Sequence, residues 1–226
     1  MGIDNANVIG SAAVASLVGW NAGTVDSSRA SGGVTGSGRV GGLVGGNPGT
    51  VRNSLFSGSV LGSWAVGGLV GENWGTLERS NAVGTVSGAR YVGGLLGWNK
   101  HGTVTNSYSS GSVTGGSQVG GLVGLNWAAV RSSWASASVA GDWQVGGFVG
   151  SNWGTATSSF WDTQSSGQAT SDGGTGKTTA QMKDIATFRT AGWSILAVPL
   201  GQTDTSRTWN IVDGQTYPFL SWQPVS

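Results

Sequence analysis

The sequence predicts an all-β fold: a parallel β-solenoid of about six 26-residue coils, closed by a small C-terminal cap that contains one short helix. Three observations predict it. First, the segment Val66-Gly67-Gly68-Leu69-Val70-Gly71-Glu72-Asn73 recurs, with copies starting at Val14, Val40, Val92, Val119 and Val145 and successive starts 26, 26, 26, 27 and 26 residues apart. A fixed period of this size marks a stacked repeat architecture. Second, two polar columns are unbroken across the copies: Asn21, Asn47, Asn73, Asn99, Asn126 and Asn152, and then Ser28, Ser54, Ser80, Ser107, Ser133 and Ser159. Third, the apolar columns keep the same period, Val25, Val51, Leu77, Val104 and Val130 in one and Val34, Val60, Val86, Val113 and Val139 in another.

Composition agrees with an ordered, unusual chain. Of 226 residues 43 are Gly and only 9% are charged, which alone would suit a flexible linker. Yet 38% are hydrophobic and 12 are Trp, and these fall on periodic positions. The net charge of +1 comes without a basic stripe, so nucleic acid is not expected as a partner. There is no Cys, which removes disulfides and thiolate metal sites and suits an exported protein. No apolar run approaches the roughly 18 residues of a membrane span.

Residues 1–13 read as a lead-in. Met1-Gly2-Ile3-Asp4 lacks the basic and then apolar regions of a secretory signal, so the N-terminus is expected to be a cut within a longer protein. Residues 14–161 are the coils. Each contains about three short β-type segments with Gly-rich bends, and no stretch within them has helical spacing. Stacked in register about 4.8 Å apart, the Asn and Ser columns become structural ladders along the axis. Such pairing satisfies amides whose burial without a partner costs roughly 1–3 kcal/mol. Gly36, Gly62, Gly88, Gly115 and Gly141 are expected to allow positive φ and close backbone approach at corners. A propeller would need about 40 residues per blade, so the period is too short for one.

The pattern Val-Gly-Gly-Leu-Val-Gly-x-Asn-x-Gly-Thr-Val, followed by Asn/Ser and Gly-x-Val-x-Gly, resembles the GLUG repeat. The resemblance covers roughly residues 14–159 and is similar to repeats of large exported bacterial proteins, including filamentous-haemagglutinin-type adhesins and some IgA-peptidase-like surface proteins. Departures are Ala15-Ser16 for Gly-Gly in the first copy and Ala128-Ala129 for Gly-Thr in the fifth. The resemblance implies a secreted or cell-surface solenoid and no catalytic residue. It makes a surface glycan or protein of a host or neighbouring cell the expected partner, bound by a monomeric segment.

Side chains beside the inward column alternate outward. Asp26, Arg52 and Glu78 on successive rungs are expected to pair, and the Thr24, Thr50, Thr76, Thr103, Thr155 column suits a strand face more simply than an ice-binding one. The tryptophans fall at corners: Trp74, Trp127 and Trp153 after the Asn, Trp20 and Trp98 before it, and Trp64 and Trp143 at a third position, with Arg90 one rung from Trp64 and placed to stack on it. They either cover the Gly-rich corners or form a platform for sugar rings. In the second case Trp64, Trp74, Trp127, Trp143 and Trp153 are the candidate stacking residues of a carbohydrate-binding module.

Residues 162–226 form the tail. Residues 162–177 read as a loop; Ser171-Asp172-Gly173-Gly174-Thr175-Gly176-Lys177-Thr178 approximates a phosphate loop but lacks its first Gly and any preceding apolar strand. Residues 178–188 predict one helix, with Thr178 and Gln181 as a capping box and Gly192 as its stop, and Trp209–Ile211 and Tyr217–Trp222 predict closing strands. The tail is expected to shield the open end of the stack. Catalysis is not expected. Glu72 and Glu78 lie about 20 Å apart if extended, too far for glycoside hydrolysis, and His101 is the single His, with no second metal ligand beside it. No cofactor is expected either.

Overall fold

A computed structural model describes residues 1–223 and is a parallel β-solenoid of about six coils. The coil starting at Val66 shows the pattern: strands Val70–Asn73 and Thr76–Glu78, then a long strand Asn81–Gly93. Equivalent strands stack in parallel into two six-stranded sheets and one ten-stranded sheet among the described residues. Register is one period per rung, Asn47 on Asn73, Val51 on Leu77 and Gly58 on Gly84. Residues 1–13, expected as a lead-in, carry strand Gly2–Ile9, which pairs with Arg29–Thr35 as the first rung of the long sheet.

A narrow core runs up the axis. Val51, Leu77, Val104 and Val130 fill it from one sheet, Val44, Val70, Leu96, Val123 and Val149 from the second, and Val60, Val86 and Val113 from the long sheet. The Asn side chains run beside it, each Nδ2 donating to the next Oδ1 at 2.8, 2.8, 3.1, 2.8 and 2.7 Å from Asn21 to Asn152. The Ser column is also continuous. Ser54 N–H donates to Ser80 Oγ at 3.1 Å, while Ser54 Oγ donates to the Arg52 carbonyl at 2.7 Å.

Two details of the corners differ from the sequence reading. Positive φ at the bends is carried by non-glycine residues, in the columns Ser27, Asn53, Arg79, Asn106, Ser132, Ser158 and Arg39, Ala65, Tyr91, Gln118, Gln144. Gly62 and its column mates are needed for space instead, since a Cβ there would lie 2.7 Å from a Val66 methyl. The glycine that does need positive φ is in mid-strand. Gly84 has φ 141°, and a Cβ would sit 2.0 Å from the Gly58 carbonyl oxygen. Ala137 occupies that position in the fifth coil, and there the long strand breaks into Trp134–Ala135 and Ser138–Gly146. The charged column also differs: Arg52 meets Asp26 at 2.9 Å, but Glu78 turns to Arg79 of its own coil at 3.5 Å.

The described residues of the tail hold three short helices, where one was expected: α1 Thr163–Ser166, α2 Thr179–Met182 and α3 Ile185–Thr190. The Thr178–Gln181 capping box forms, but Asp184 takes an extended conformation and its carboxylate accepts from Ala186 N–H at 2.8 Å, starting a new helix. The expected loop 162–177 closes the end of the stack. Gly147 N–H donates to Thr170 O, Val149 N–H to Ser171 Oγ and Asn152 N–H to Asp172 Oδ2, and strand Thr175–Lys177 pairs with Phe160–Asp162. Residues 178–223 therefore cover the side of the solenoid rather than its end. Met182, Phe188, Trp193, Trp209 and Leu220 pack on Tyr108, Trp134 and Phe160, which project from the long sheet. The indoles of Trp193, Trp209 and Trp222 donate to Ser158 O, Asn106 Oδ1 and Arg79 O, all at the same left-handed corner.

Candidate functional site: an aromatic edge

The corner where the long strand bends into the Asn strand carries most of the remaining aromatics. A left-handed residue just before each Val (Arg39, Ala65, Tyr91, Gln118, Gln144) breaks the alternation there. The result is a strip of large side chains along one edge, in two parts.

In the N-terminal part the rings are already occupied. The Arg39 guanidinium lies 5.4, 5.8 and 6.0 Å from the ring centres of Trp64, Trp74 and Trp20, and Lys100 Nζ lies 4.8 Å from Trp98 and 5.5 Å from Trp74. Trp64 packs edge-on against Trp98 at 5.5 Å, and Trp20 contacts Trp74 at 5.1 Å. Trp64 and Trp74 are thus half-buried and covered by cations. Arg90, expected on Trp64, lies over Tyr91 instead, at 4.7 Å. Beneath the cage Glu72 is fully buried and ion-paired with Arg39. Burial pushes its carboxyl pKa up, opposed by Arg39 and, more weakly, by Lys100 and His101. Its Oε1 has no hydrogen-bond partner.

The C-terminal part is open. Trp127, Trp143 and Trp153 are 47%, 59% and 80% exposed and flank a groove of about 270 Å³ with Gln118, Gln144 and Arg90. Trp127 rests edge-on against Trp98 at 4.9 Å, which fixes its plane. Trp153 stands one rung beyond it, since Asn126 pairs with Asn152. Of the five candidate stacking tryptophans, the structure brings these three together and leaves Trp64 and Trp74 in the filled cage. Sequence reasoning missed Arg39, Tyr91, Gln118 and Gln144. The signal for them is a non-repeating column immediately before the constant Val.

Residues 62–87 and 88–114 each match the model of the GLUG motif. The chain carries GLUG repeats. No curated protein sequence matches it. Among solved structures it is similar to one described as a "putative immunoglobulin A1 protease" from Bacteroides ovatus, with a TM-score of 0.65 and 16% identity over 98% of this chain and 75% of that one. At that identity the likeness is one of fold. GLUG repeats and the solenoid belong together here, because the Gly-Gly-Leu segment supplies both the tight corner and the core leucine: a Cβ on Gly68 would lie 2.1 Å from the Gly94 carbonyl of the next rung.

Proposed function

We propose that this chain is a non-catalytic, surface-exposed segment of an exported bacterial adhesin, acting as stalk and interaction surface. The observation that carries the reading is the open aromatic strip on a stacked, charge-poor scaffold. Three exposed indoles sit side by side on a stretch of solenoid whose backbone is paired rung to rung, and exposed aromatic patches of this kind mark recognition. The GLUG repeats and the resemblance to repeats of exported adhesins support a secreted or cell-surface setting. The non-catalytic part rests on the carboxylates: Asp26, Glu72 and Glu78 are each engaged by an arginine, and His101 stands exposed in the one-residue insertion. The fold likeness to a protein described as a protease brings no residue for that chemistry, so peptide cleavage is not part of the reading.

The test is attachment. Beads coated with the chain are expected to adhere to epithelial or bacterial cells above albumin-coated beads, and the chain is expected to leave immunoglobulin A1 and plant or bacterial polysaccharides uncut. Attachment no better than albumin overturns the adhesin reading. Turnover of any of those substrates overturns the non-catalytic one.

A further inference from the structure

The open groove contains a polar feature that the fold does not need. Gln118 is only 7% exposed and donates through Nε2 to Gln144 Oε1 on the next rung, yet its own Oε1 has no partner. A buried amide oxygen left unpaired is costly and calls for a donor. Gln144 accepts the Gln118 bond through Oε1 and keeps its Nε2 as a donor, and both residues line the groove. Trp127, Trp143 and Trp153 line the same groove, and no carboxylate is among the lining residues.

We infer that the groove between Trp127, Trp143 and Trp153 binds a neutral pyranose glycan, with the indoles taking the sugar's C–H faces and the Gln118–Gln144 amides taking its hydroxyls. The assignment rests on the interaction-surface reading and narrows it to one ligand class. A sugar hydroxyl both donates and accepts, so a vicinal pair fills Gln118 Oε1 and uses Gln144 Nε2 at once. A polyproline peptide, the other usual guest of an aromatic groove, brings carbonyl acceptors but no N–H from its prolines, and leaves Gln118 Oε1 unfilled. The groove volume falls just under the roughly 300–1,000 Å³ of ligand pockets, which suits a short segment or chain end of a glycan. Arg90, which lies over Tyr91, is the single cation among the lining residues, so the groove presents no cation cluster that would select an acidic sugar.

The test is titration of the intact chain with lactose, cellobiose, chitobiose and mannobiose, followed by a glycan array, with indole fluorescence and calorimetry as readouts. Binding of at least one neutral glycan is expected. Trp143→Ala and Trp153→Ala are expected to weaken it about tenfold or more, as loss of exposed aromatic anchors does. Gln118→Leu is expected to weaken it by a similar factor, while Trp20→Ala, at the far end of the edge, leaves it unchanged. Trp153 is mostly solvent-exposed, so its variant keeps the wild-type melting temperature and separates binding from folding. If no neutral glycan binds, or if Trp143→Ala and Trp153→Ala bind as wild type, the assignment is overturned. Binding only to sialylated glycans or to a polyproline peptide also overturns it. Bead attachment that survives glycosidase treatment of the target cells overturns it too, and leaves the adhesion reading standing.

Discussion

At the scale of single residues, the ladder and the buried carboxylate make opposite demands on the same coil. Asn73 accepts from Asn47 at 2.8 Å and donates to Asn99 at 3.1 Å, all three fully buried. Asn73→Ala leaves the Asn99 Oδ1 without its donor, while the Asn47 amide loses one acceptor and keeps the Thr76 carbonyl at 3.1 Å. One orphaned buried group costs roughly 1–3 kcal/mol, so a loss of about that size is expected as a lower urea midpoint at unchanged slope. Glu72, one residue earlier, works the other way. Because burial raises its folded pKa above the unfolded value, its contribution is fully present below ordinary glutamate pH and is lost as pH rises through the raised pKa. Stability is therefore expected to increase as pH falls through that window, and Glu72→Gln, which mimics the protonated form, is expected to flatten the rise in melting scans. The Asn column was legible because it recurs six times. The role of Glu72 was not, because its partner Arg39 lies 33 positions upstream on a corner whose left-handed turn no local pattern announces.

At the scale of elements, the tail is a clamp hinged on Asp162. Its carboxylate accepts from Gln164 N–H at 2.8 Å and Ser165 N–H at 3.2 Å as the cap of α1, and from Thr179 Oγ1 at 2.7 Å and the Tyr217 hydroxyl. Burial alone would raise its pKa, but the hydrogen bonds from Tyr217, Thr179, Ser165 and Gln164 outweigh burial and hold it below the usual carboxylate range. For a depressed carboxylate the stabilisation is present above the unfolded pKa of about 3.9 and is lost as pH falls through the folded value. Asp162→Ala removes a helix cap worth about 0.5–2 kcal/mol and strands two hydroxyls. It is expected to speed hydrogen exchange across 178–223 while leaving the coils protected, and to remove the acid-side loosening of the tail. Tyr217 reports the same joint from the alkaline side. Burial, and then the Asp162 charge, pushes its pKa up to about 12, so its stabilisation is lost as pH rises from about 10 to 12. The capping box was legible at Thr178 and Gln181, but the break at Asp184 was not, since Lys183-Asp184 also fits a continuous helix.

At the scale of the whole molecule, the solenoid has two vulnerable surfaces, and each is protected by a different part of the tail. The coils were readable from the sequence because one period fixes register in all three sheets at once. The covering was misplaced because an open end is the liability that a stack suggests by itself. Residues 168–177 already close that end, with Trp161 plugged against Gly147 and Ser171 and Asp172 taking up the strand edges. What 178–223 hides is lateral. Tyr108, Trp134 and Phe160 form one column on the outside of the long sheet, where the earlier coils carry Arg29, Leu55 and Asn81. Tyr108 stacks on Trp134 at 4.5 Å and Trp134 on Tyr217 at 5.2 Å, so the column is continuous with the clamp. Truncation after Lys177 is therefore expected to keep the β-type circular dichroism of the coils but to cause self-association, seen as larger species in sedimentation velocity. The end-shielding and side-shielding accounts separate in one further variant. Adding Tyr108→Asn, Trp134→Asn and Phe160→Asn to the truncated chain, after the Asn81 that already occupies this column, is expected to restore a monomer. If the triple variant still associates, the exposed surface is the end of the stack and the clamp protects that instead.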